Sequence, residues 1–442
     1  MAHAPTDFDP ADDPSIQDLL ALRPWLKYDA MDGLLMDGVP LAAIARDAGT
    51  PTWVTSAAAL RGRCDALAQA LSATGLDAAI HYAVKANDSR AVLDLVARQG
   101  LGADVVSGGE LRKALAAGIH ADAIVYSGVG KSAAELRLAL GSGIGQINVE
   151  SAEELAMIAA IAAELGVTAR VALRVNPDVD AETNDKISTG RATDKFGIAY
   201  DQTAALYRHA ATLPNVQPVG LATHIGSQIT GLAPFRAAFD RLSALVVALR
   251  NEGLRVAVMD CGGGLGIPYR NEPVPSPAGL AAVIKAAFHN LDVRVAVEPG
   301  RWLVGPTAVL LASVVLVKQT PAMRFVVLDA AMNDLVRPAM YDSWHGIVPV
   351  SAADAARPVS PATVVGPVCE SSDTLARGRS LPPLPRDAVV AILDAGAYGR
   401  VMSSTYNTRP LAAEAWVDAG RWCVTRPRQP IEALWETERL PT

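Results

Sequence analysis

Lys85 is the residue whose type and position most clearly suggest chemistry. It lies near the end of an apolar, β-prone run, 79–86, which predicts a buried strand. Burial disfavours an ammonium group, so a lysine there can supply the neutral amine that Schiff-base chemistry with pyridoxal phosphate (PLP) requires. From this run alone, the commoner interpretation is a lysine that extends its charge into solvent.

Three consecutive glycines, 262–264, follow another apolar run, 256–260. Successive backbone N–H groups in such a segment can surround an anion, although the motif alone more often marks a flexible turn. Arg301 follows a further strand-like run and could donate a charge-assisted hydrogen bond to phosphate or carboxylate. A surface ion pair is the alternative for this arginine.

Glu298 closes the apolar run 294–298, where a carboxylate is expensive to bury without a cationic or protonated partner. A protonated pyridine nitrogen would be such a partner and would make a cofactor ring an electron sink, but a neighbouring arginine would serve equally well. His224 lies one residue before the end of the apolar run 219–225 and is either a satisfied core histidine or a group that stacks on a flat cofactor. No HxH or HExxH spacing accompanies it, which argues against zinc.

Three later clusters contain residues whose side chains could take part in catalysis or binding, although each such cluster taken alone more often has a structural role. Arg337 stands four residues before Tyr341, Cys369 is followed directly by Glu370, and Tyr398 lies in the flexible run 394–399.

Apolar runs alternate with alanine- and leucine-rich segments of helical spacing, which predicts parallel strands with crossover helices. The eight strand-like runs are 79–86, 103–107, 124–127, 146–149, 170–175, 219–225, 256–260 and 294–298. Eight strands close a (β/α)₈ TIM-type barrel, whose active site lies at the C-terminal ends of the strands. A doubly wound sheet is the competing architecture, but no GxGxxG follows the first strand.

After residue 300 the chain becomes proline-rich and β-branched with little helical patterning, which predicts an all-β domain. The predicted organisation is an α/β protein with these parts: a flexible leader 1–24, an N-terminal segment 25–55, a barrel 56–300 and a C-terminal β-domain 301–442.

Composition narrows the class of protein. The chain has 442 residues, half of them apolar, and a formal charge of −7 without any basic run, which argues against a nucleic-acid partner. The four cysteines show neither CxxC nor metal-ligand spacing, which fits a reducing compartment. No run is long enough to span a bilayer and no signal-peptide pattern is visible, so we expect a cytoplasmic protein.

The assembled residues resemble the fold-type III PLP-dependent decarboxylases, and more narrowly the diaminopimelate decarboxylase family. The resemblance runs from about residue 33 to 430. Its motifs are YAVKAN, ADVVSGGEL, SGVGKSAAEL, RVNPDVD, KISTG with DKFGI, HIGSQIT, CGGGLGIPY, EPGR, DAAMNDLVRPAMY, GPVCESSD and AGAYG. It implies a PLP-binding barrel and a β-domain that the N-terminal segment 25–55 joins. It also implies PLP-dependent conversion of meso-2,6-diaminopimelate to L-lysine and CO₂, the last step of lysine biosynthesis.

The resemblance also implies a role for each matching residue. Lys85 would carry PLP as a Schiff base, His224 would stack on the ring, and Glu298 would keep the pyridine nitrogen protonated. The phosphate would be surrounded by Ser227, Gly262, Gly263, Gly264, Pro299, Gly300, Arg301 and Tyr398. The distal end of the substrate would be held by Arg301, Arg337, Tyr341, Glu370 and Tyr398. Cys369 would donate the proton that replaces CO₂, and with Glu370 it would reach into a partner subunit of a homodimer.

Three small departures from the family pattern remove no reacting group: Ser372 where glycine is usual, Arg112 where tyrosine is common, and Cys261 where leucine is common. Three alternatives stay open. One is a decarboxylase of ornithine, lysine or arginine, which would depend only weakly on Arg337. Another is a PLP-fold homologue without catalysis that acts as a regulatory partner, and the third is an amino-acid racemase.

Overall fold

The computed structural model describes residues 13–181, 189–191 and 194–441, which form two compact units. The barrel unit comprises Arg61–Ile267 and Pro273–Leu303. The β unit comprises the described residues up to Leu60, Pro268–Glu272, and those from Val304 onward. The predicted boundaries after residues 55 and 300 lie close to these. Residues 186–188 of the KISTG motif lie outside the described residues.

The strands are β1 (Leu26–Asp29), β2 (Gly33–Met36), β3 (Val39–Pro40), β4 (Thr52–Ser56), β5 (Ala78–Ala83), β6 (Gly102–Val105), β7 (Ile124–Tyr126), β8 (Gln146–Val149), β9 (Ala169–Asn176), β10 (Ile198–Ala199), β11 (Val216–Ala222), β12 (Val258–Asp260), β13 (Arg294–Val297), β14 (Ala308–Gln319), β15 (Arg324–Leu328), β16 (Ile347–Pro349), β17 (Ser360–Val365), β18 (Thr374–Leu381), β19 (Val389–Ile392), β20 (Ala413–Asp418) and β21 (Arg421–Arg426). The α-helices are α1 (Ile16–Ala21), α2 (Leu41–Ala48), α3 (Ala57–Ser72), α4 (Arg90–Arg98), α5 (Gly108–Ala116), α6 (Ala133–Gly141), α7 (Ala152–Leu165), α8 (Tyr200–Thr212), α9 (Ala233–Asn251), α10 (Pro277–Phe288), α11 (Arg301–Val304), α12 (Arg337–Tyr341) and α13 (Ala352–Ala355).

The barrel unit is a closed ring of eight parallel strands. The order is β5-β6-β7-β8-β9-β11-β12-β13, and β13 pairs with β5 to complete the ring. Each strand falls on one of the eight predicted runs, so the predicted (β/α)₈ barrel is confirmed. Because all eight strands run the same way, the residues that follow them meet at one mouth of the barrel.

Serine caps start several helices just beyond that mouth. The hydroxyl groups of Ser107, Ser132, Ser151 and Ser276 accept the N–H three residues on, at the starts of α5, α6, α7 and α10. An N-cap of this kind contributes about 1 kcal/mol by satisfying an N–H that the helix leaves unpaired. The caps therefore fix where each helix leaves the loops that surround the mouth.

The β unit is built around the long strand β14, which pairs with β4, β15 and β19. β4 comes from the N-terminal part of the chain and lies between β14 and β20. Buried aliphatic side chains cover both faces of this sheet in two separate clusters. The expected sheet-rich domain is therefore present, and it is completed by a strand from the other end of the sequence.

The flexible leader predicted for residues 1–24 is wrong for its described part, 13–24. These residues form helix α1 and bury both Leu19 and Arg23 within the β unit. The Arg23 Nε donates to Asp394 Oδ1 at 2.9 Å, and the same guanidinium also bonds the carbonyl of Pro268. A buried ion pair of this kind holds the segment in place because either charge left alone would be costly. Residues 1–12 lie outside the described residues.

In the described part of the chain, every helix is too short or too polar to cross a membrane.

Candidate active site

Lys85 stands at the mouth of the barrel, in a short 3₁₀ turn (Val84–Ala86) that follows β5. The predicted strand was expected to continue through the lysine, but β5 ends at Ala83 and Lys85 belongs to the turn that follows it. Lys85 Nζ lies 2.8 Å from Asp104 Oδ2, and about 30% of the lysine side chain remains exposed. The amine is therefore anchored on one side and accessible on the other.

Asp104, the anchor of Lys85, lies on β6 and is fully buried. Its second oxygen, Oδ1, has no hydrogen-bond partner among the described residues. Leaving a buried carboxylate oxygen unsatisfied costs free energy, typically about 1–3 kcal/mol, so such an atom marks a place where a further donor fits. Sequence reasoning missed Asp104, although a carboxylate inside an apolar run was a signal for it.

Glu298 follows β13 and is buried within a polar network inside the barrel. Its Oε1 lies 3.3 Å from Asn148 Nδ2 and 3.4 Å from Ser127 Oγ. Burial, reinforced by the charges of Asp104 and Asp260, raises the pKa of Glu298 well above its usual range. A cationic group placed against this carboxylate would reverse that effect and be held strongly, which matches the predicted pyridinium partner.

His224 lies just beyond β11 and its ring orientation is fixed by one hydrogen bond. The Gly263 N–H donates to His224 Nδ1 at 3.1 Å, which assigns the ring proton to Nε2. Burial, together with the charges of Lys85 and Arg174, lowers the pKa of His224 well below its usual value. The imidazole is therefore a neutral, oriented plane at the mouth of the barrel.

The three consecutive glycines 262–264, called the glycine segment below, pack so closely on the neighbouring strands that there is no room for side chains. A Cβ on Gly262 or Gly263 would lie 2.2 Å from a backbone oxygen of Thr223 or Glu298, respectively. The Gly262 N–H donates to Asp260 Oδ1 at 3.0 Å and the Gly263 N–H to His224, as described above. The backbone N–H groups of Gly262 and Gly263 are thus already engaged within the barrel unit.

Arg301 is buried beside Ser227, and these two predicted anion-binding residues are in direct contact. The Ser227 hydroxyl oxygen accepts from the guanidinium at 3.0 and 3.3 Å. The carbonyl of Pro299 accepts the Ala83 N–H at 3.1 Å, which ties the segment around Gly300 to the strand that precedes Lys85. Because Arg301 is buried, the alternative interpretation of a surface ion pair is excluded.

In the β unit, Arg337 is buried, and its contacts include His345, Ser343 and the ring of Tyr269. One guanidinium nitrogen contacts His345 Nε2 at 2.8 Å and another donates to Ser343 Oγ at 3.1 Å, while the group lies 4.9 Å from the centre of the Tyr269 ring. His345 Nδ1 bonds the Leu393 carbonyl. Arg337 and Tyr341 begin and end the one-turn helix α12, so they share a face.

Cys369 and Glu370 lie on an exposed loop. The buried Asp373 supports this loop by accepting the N–H groups of Met332 at 2.7 Å and Val368 at 2.8 Å. Cys369 N–H bonds Asn407 Oδ1, and Glu370 accepts hydroxyl groups from Ser372 and Tyr406.

Tyr398 is half-buried and has a left-handed backbone conformation with φ +55°. It follows Asp394, whose carboxylate is bound by Arg23. The run around it is thus held at its start by a buried ion pair. Arg23, His345 and Asp260 are further positioning groups that sequence reasoning missed, because their partners are distant along the chain.

The residues at the mouth of the barrel fit PLP. Lys85 supplies an accessible amine, Glu298 a buried carboxylate and His224 a neutral imidazole. The group suited to the phosphate consists of the glycine segment, Arg301 and Ser227. The unsatisfied Asp104 Oδ1 can accept a further hydrogen-bond donor. Fold and donor set together define a PLP-dependent enzyme of the barrel type.

Comparison with known proteins agrees with this class. Residues 57–305 match the family described as pyridoxal-dependent decarboxylase, pyridoxal binding domain. Diaminopimelate decarboxylases of Zymomonas mobilis and Pseudomonas aeruginosa are each 45% identical, over 92% of this chain and over 96% and 97% of their own length. The crystal structure of diaminopimelate decarboxylase from Helicobacter pylori complexed with L-lysine superposes with a TM-score of 0.87 at 37% identity, covering 90% of this chain and 99% of that one. The chain belongs to the diaminopimelate decarboxylase family.

Proposed function

We propose that this protein removes one carboxyl group from meso-2,6-diaminopimelate to give L-lysine and CO₂, using PLP, as the last step of lysine biosynthesis in the cytoplasm. The observation that carries the proposal is the accessible Lys85 amine at the same barrel mouth as the buried Glu298 carboxylate. The names of relatives that match along almost the whole chain support the choice of substrate.

Bound PLP supplies an electron-poor ring that accepts the electron pair left when CO₂ departs. Lys85 would hold the cofactor covalently through its amine. Asp104 restrains that amine at the mouth of the barrel by the ion pair at 2.8 Å. Glu298 would hold a proton at the pyridine nitrogen, and His224 would lie against the cofactor with its neutral ring.

The phosphate is proposed to lie among Ser227, the glycine segment and the backbone of Pro299, Gly300 and Arg301, with Tyr398 as a further donor. Gly264 is the main donor of the glycine segment in this proposal. Since the other two amides orient His224 and Asp260, the segment positions both the anion site and the ring that stacks beside it.

The distal end of the substrate carries an ammonium and a carboxylate, so it needs both signs of charge. We assign Arg301 and Arg337 to the carboxylate, Glu370 to the ammonium, and Tyr341 and Tyr398 to hydrogen bonds around them. His345 and Ser343 orient the Arg337 guanidinium through hydrogen bonds. A decarboxylase of ornithine or lysine needs only an acid at this end.

Cys369 is proposed to protonate the carbon from which CO₂ leaves, as a general acid. Cys369 and Glu370 are proposed to reach the barrel of a partner subunit, so that the active unit is a homodimer with shared sites. Their exposure on one loop supports this, since groups used within one chain are more often buried in it.

The first experiment is CO₂ release from the purified, PLP-loaded protein with meso-diaminopimelate, ornithine, lysine and arginine offered in parallel. Turnover of meso-diaminopimelate alone supports the proposal. Turnover of a simple diamino acid would keep the chemistry and overturn the substrate. Release from none of them would favour a regulatory homologue, and interconversion of L- and D-amino acids would indicate a racemase.

Shared sites are tested by mixing two inactive variants, Lys85→Ala and Cys369→Ala. If each site uses Lys85 from one chain and Cys369 from the other, a mixed dimer regains one intact site. With random exchange, activity should recover to about a quarter of the wild-type value. No recovery after verified subunit exchange would show that both residues act within one chain.

A further inference from the structure

A cavity of about 280 Å³ lies in the β unit, next to helix α12 and strand β18. Its lining includes Pro338 and Ala339 of α12 together with Thr374 and Arg379 of β18. Among the described residues that line it, none is assigned above to PLP or to the substrate. The cavity therefore has polar groups of its own, and anything bound in it would lie beside the helix that begins at Arg337.

Arg379 is a buried cation that lacks hydrogen bonds. Its side chain is only 7% exposed, and within the described part of the chain its guanidinium donates no hydrogen bond. Asp13 Oδ1 lies 3.8 Å from Arg379 Nη1, which is too far for a hydrogen bond, and that oxygen also has no hydrogen-bond partner among the described residues. Asp13 is held in this position because its Oδ2 accepts the Ser380 N–H at 3.0 Å. Since unpaired charged donors are costly to bury, Arg379 has N–H groups suited to a further acceptor.

Trp344 lies against the Arg379 guanidinium and carries another unused donor. Arg379 Cζ lies 3.9 Å from the centre of the Trp344 ring, and Arg270 Cζ lies 5.3 Å from it, so two cations contact one aromatic ring. Trp344 Nε1 is buried, and no described residue accepts its hydrogen. An indole N–H can only donate, so this atom also requires an acceptor. The neighbouring donors of Arg379 and Trp344 thus both lack one.

The charges around the cavity favour a negatively charged occupant. Burial lowers the pKa of Arg379 to about 9, while the charge of Asp13 opposes this change and that of Arg270 adds to it. Asp342 also lines the cavity, but it is exposed to solvent, where its charge is screened. An anion beside Arg379 would offset both the burial of the guanidinium and its repulsion from Arg270. A neutral molecule would satisfy the donors but not the charges.

We propose that this cavity binds a small oxyanion, such as inorganic phosphate, between Arg379 and Trp344. A guanidinium presents two parallel N–H groups that match two oxygen atoms of such an anion. The Trp344 N–H would donate to a further oxygen, and the Arg270 charge would add attraction from a greater distance. The inference is independent of the reaction and the substrate proposed above.

The test is calorimetric titration of the PLP-loaded protein with inorganic phosphate, since the bound cofactor then fills the phosphate site proposed at the barrel mouth. Arg379→Gln should lower the affinity for phosphate about 10–100-fold, because it removes the charge and the paired donors. Trp344→Phe keeps an aromatic ring but removes one N–H, and should lower the affinity about 2–10-fold. Arg386→Gln removes an exposed cation of the same unit and should bind phosphate like the wild type.

Equal phosphate affinity in wild type and Arg379→Gln, with both folded, would overturn the inference, and so would the absence of binding by the wild type at millimolar phosphate. A second measurement uses the wild type alone and does not require a variant to fold. Crystals soaked in selenate should show the anomalous signal of selenium between Arg379 and Trp344 Nε1. Selenium found only elsewhere on the protein would contradict the site, whereas a different substrate for the enzyme would leave both results unchanged.

Discussion

The barrel unit and the β unit hold their proposed functional groups in different ways. At the barrel mouth, Lys85, His224 and Glu298 are each fixed by side chains or amides of the same unit. In the β unit, Arg337 is fixed similarly, but Cys369 and Glu370 stand exposed on one loop. The groups proposed to bind the cofactor are thus oriented before it binds, whereas the exposed pair has the accessibility expected of groups that contact a second subunit.

The largest effect should come from the barrel. We expect Lys85→Ala to lower decarboxylation on the order of 10⁴-fold, because it removes the amine that holds PLP. Lys113→Ala is a matched control, since that lysine pairs with Asp88 at 2.6 Å in the same unit and is partly exposed. Comparison of kcat, together with the absorbance of protein-bound PLP, checks this. Normal turnover by Lys85→Ala would remove the barrel mouth as the catalytic centre.

The next largest effect on kcat should come from Cys369, one of the two exposed residues Cys369 and Glu370. Cys369→Ser should lower kcat by about 10²–10³-fold, because a hydroxyl is a much weaker acid than a thiol. Cys423→Ser changes the other exposed cysteine and should leave kcat unchanged. PLP binding, measured by absorbance, should be the same in both variants. If Cys369→Ser retains full kcat, exposure on this loop does not indicate a catalytic role.

Arg337→Lys tests whether the buried group of the β unit recognises substrate. The variant keeps a positive charge but loses the planar fork, which should lower kcat/KM for meso-diaminopimelate about 10–100-fold. Arg377→Lys, at an exposed position in the same unit, is the control. Thermal unfolding checks that the buried substitution is tolerated. An unchanged kcat/KM in a folded variant would assign Arg337 a structural role only.

The smallest expected effect is a change in the free energy of unfolding when Glu110, a partly buried acid of the barrel unit, is replaced. Burial raises the pKa of Glu110 to about 7, so the folded chain binds more protons than the unfolded chain between about pH 4.5 and 7. Stability therefore falls as the pH rises through that range. Glu110→Gln should be about 2 kcal/mol more stable than the wild type at pH 8, and the difference should shrink at pH 5.

Urea unfolding at pH 5 and pH 8 measures this difference. Glu135→Gln serves as the opposite case, because hydrogen bonds to Gly108 and Ser132 lower the pKa of Glu135 to about 2. Its stabilising contribution is present above its ordinary pKa and disappears as the pH falls toward 2. Glu135→Gln should therefore be less stable than the wild type at pH 8. The same sign of change in both variants would show that burial does not govern Glu110.

The sequence predicts the barrel well because its evidence is local. Each buried parallel strand is a continuous apolar run, and all eight runs coincide with strands. The end of β5 was missed because Val84 and Ala86 are as apolar as the strand before them, although they belong to a turn.

Pairings between distant parts of the chain could not be predicted in this way. Asp260 could be identified as the last residue of a strand, but its contact with Asn148 depends on barrel closure. Likewise, nothing near Arg23 indicates that its partner is Asp394. The family resemblance supplied candidate roles for matching residues, whereas these supporting contacts required the structure.

The ion pair between Arg23 and Asp394 has a consequence for biosynthesis of the chain. The two residues are 371 positions apart, and at roughly 5–20 residues per second Asp394 is made about 20–75 s after Arg23. Almost the entire barrel sequence is translated in that interval. We expect the barrel unit to become protease-resistant on the ribosome while the N-terminal segment is still cleavable. Limited proteolysis of ribosome-bound chains stalled after residues 310 and 430 would test this order.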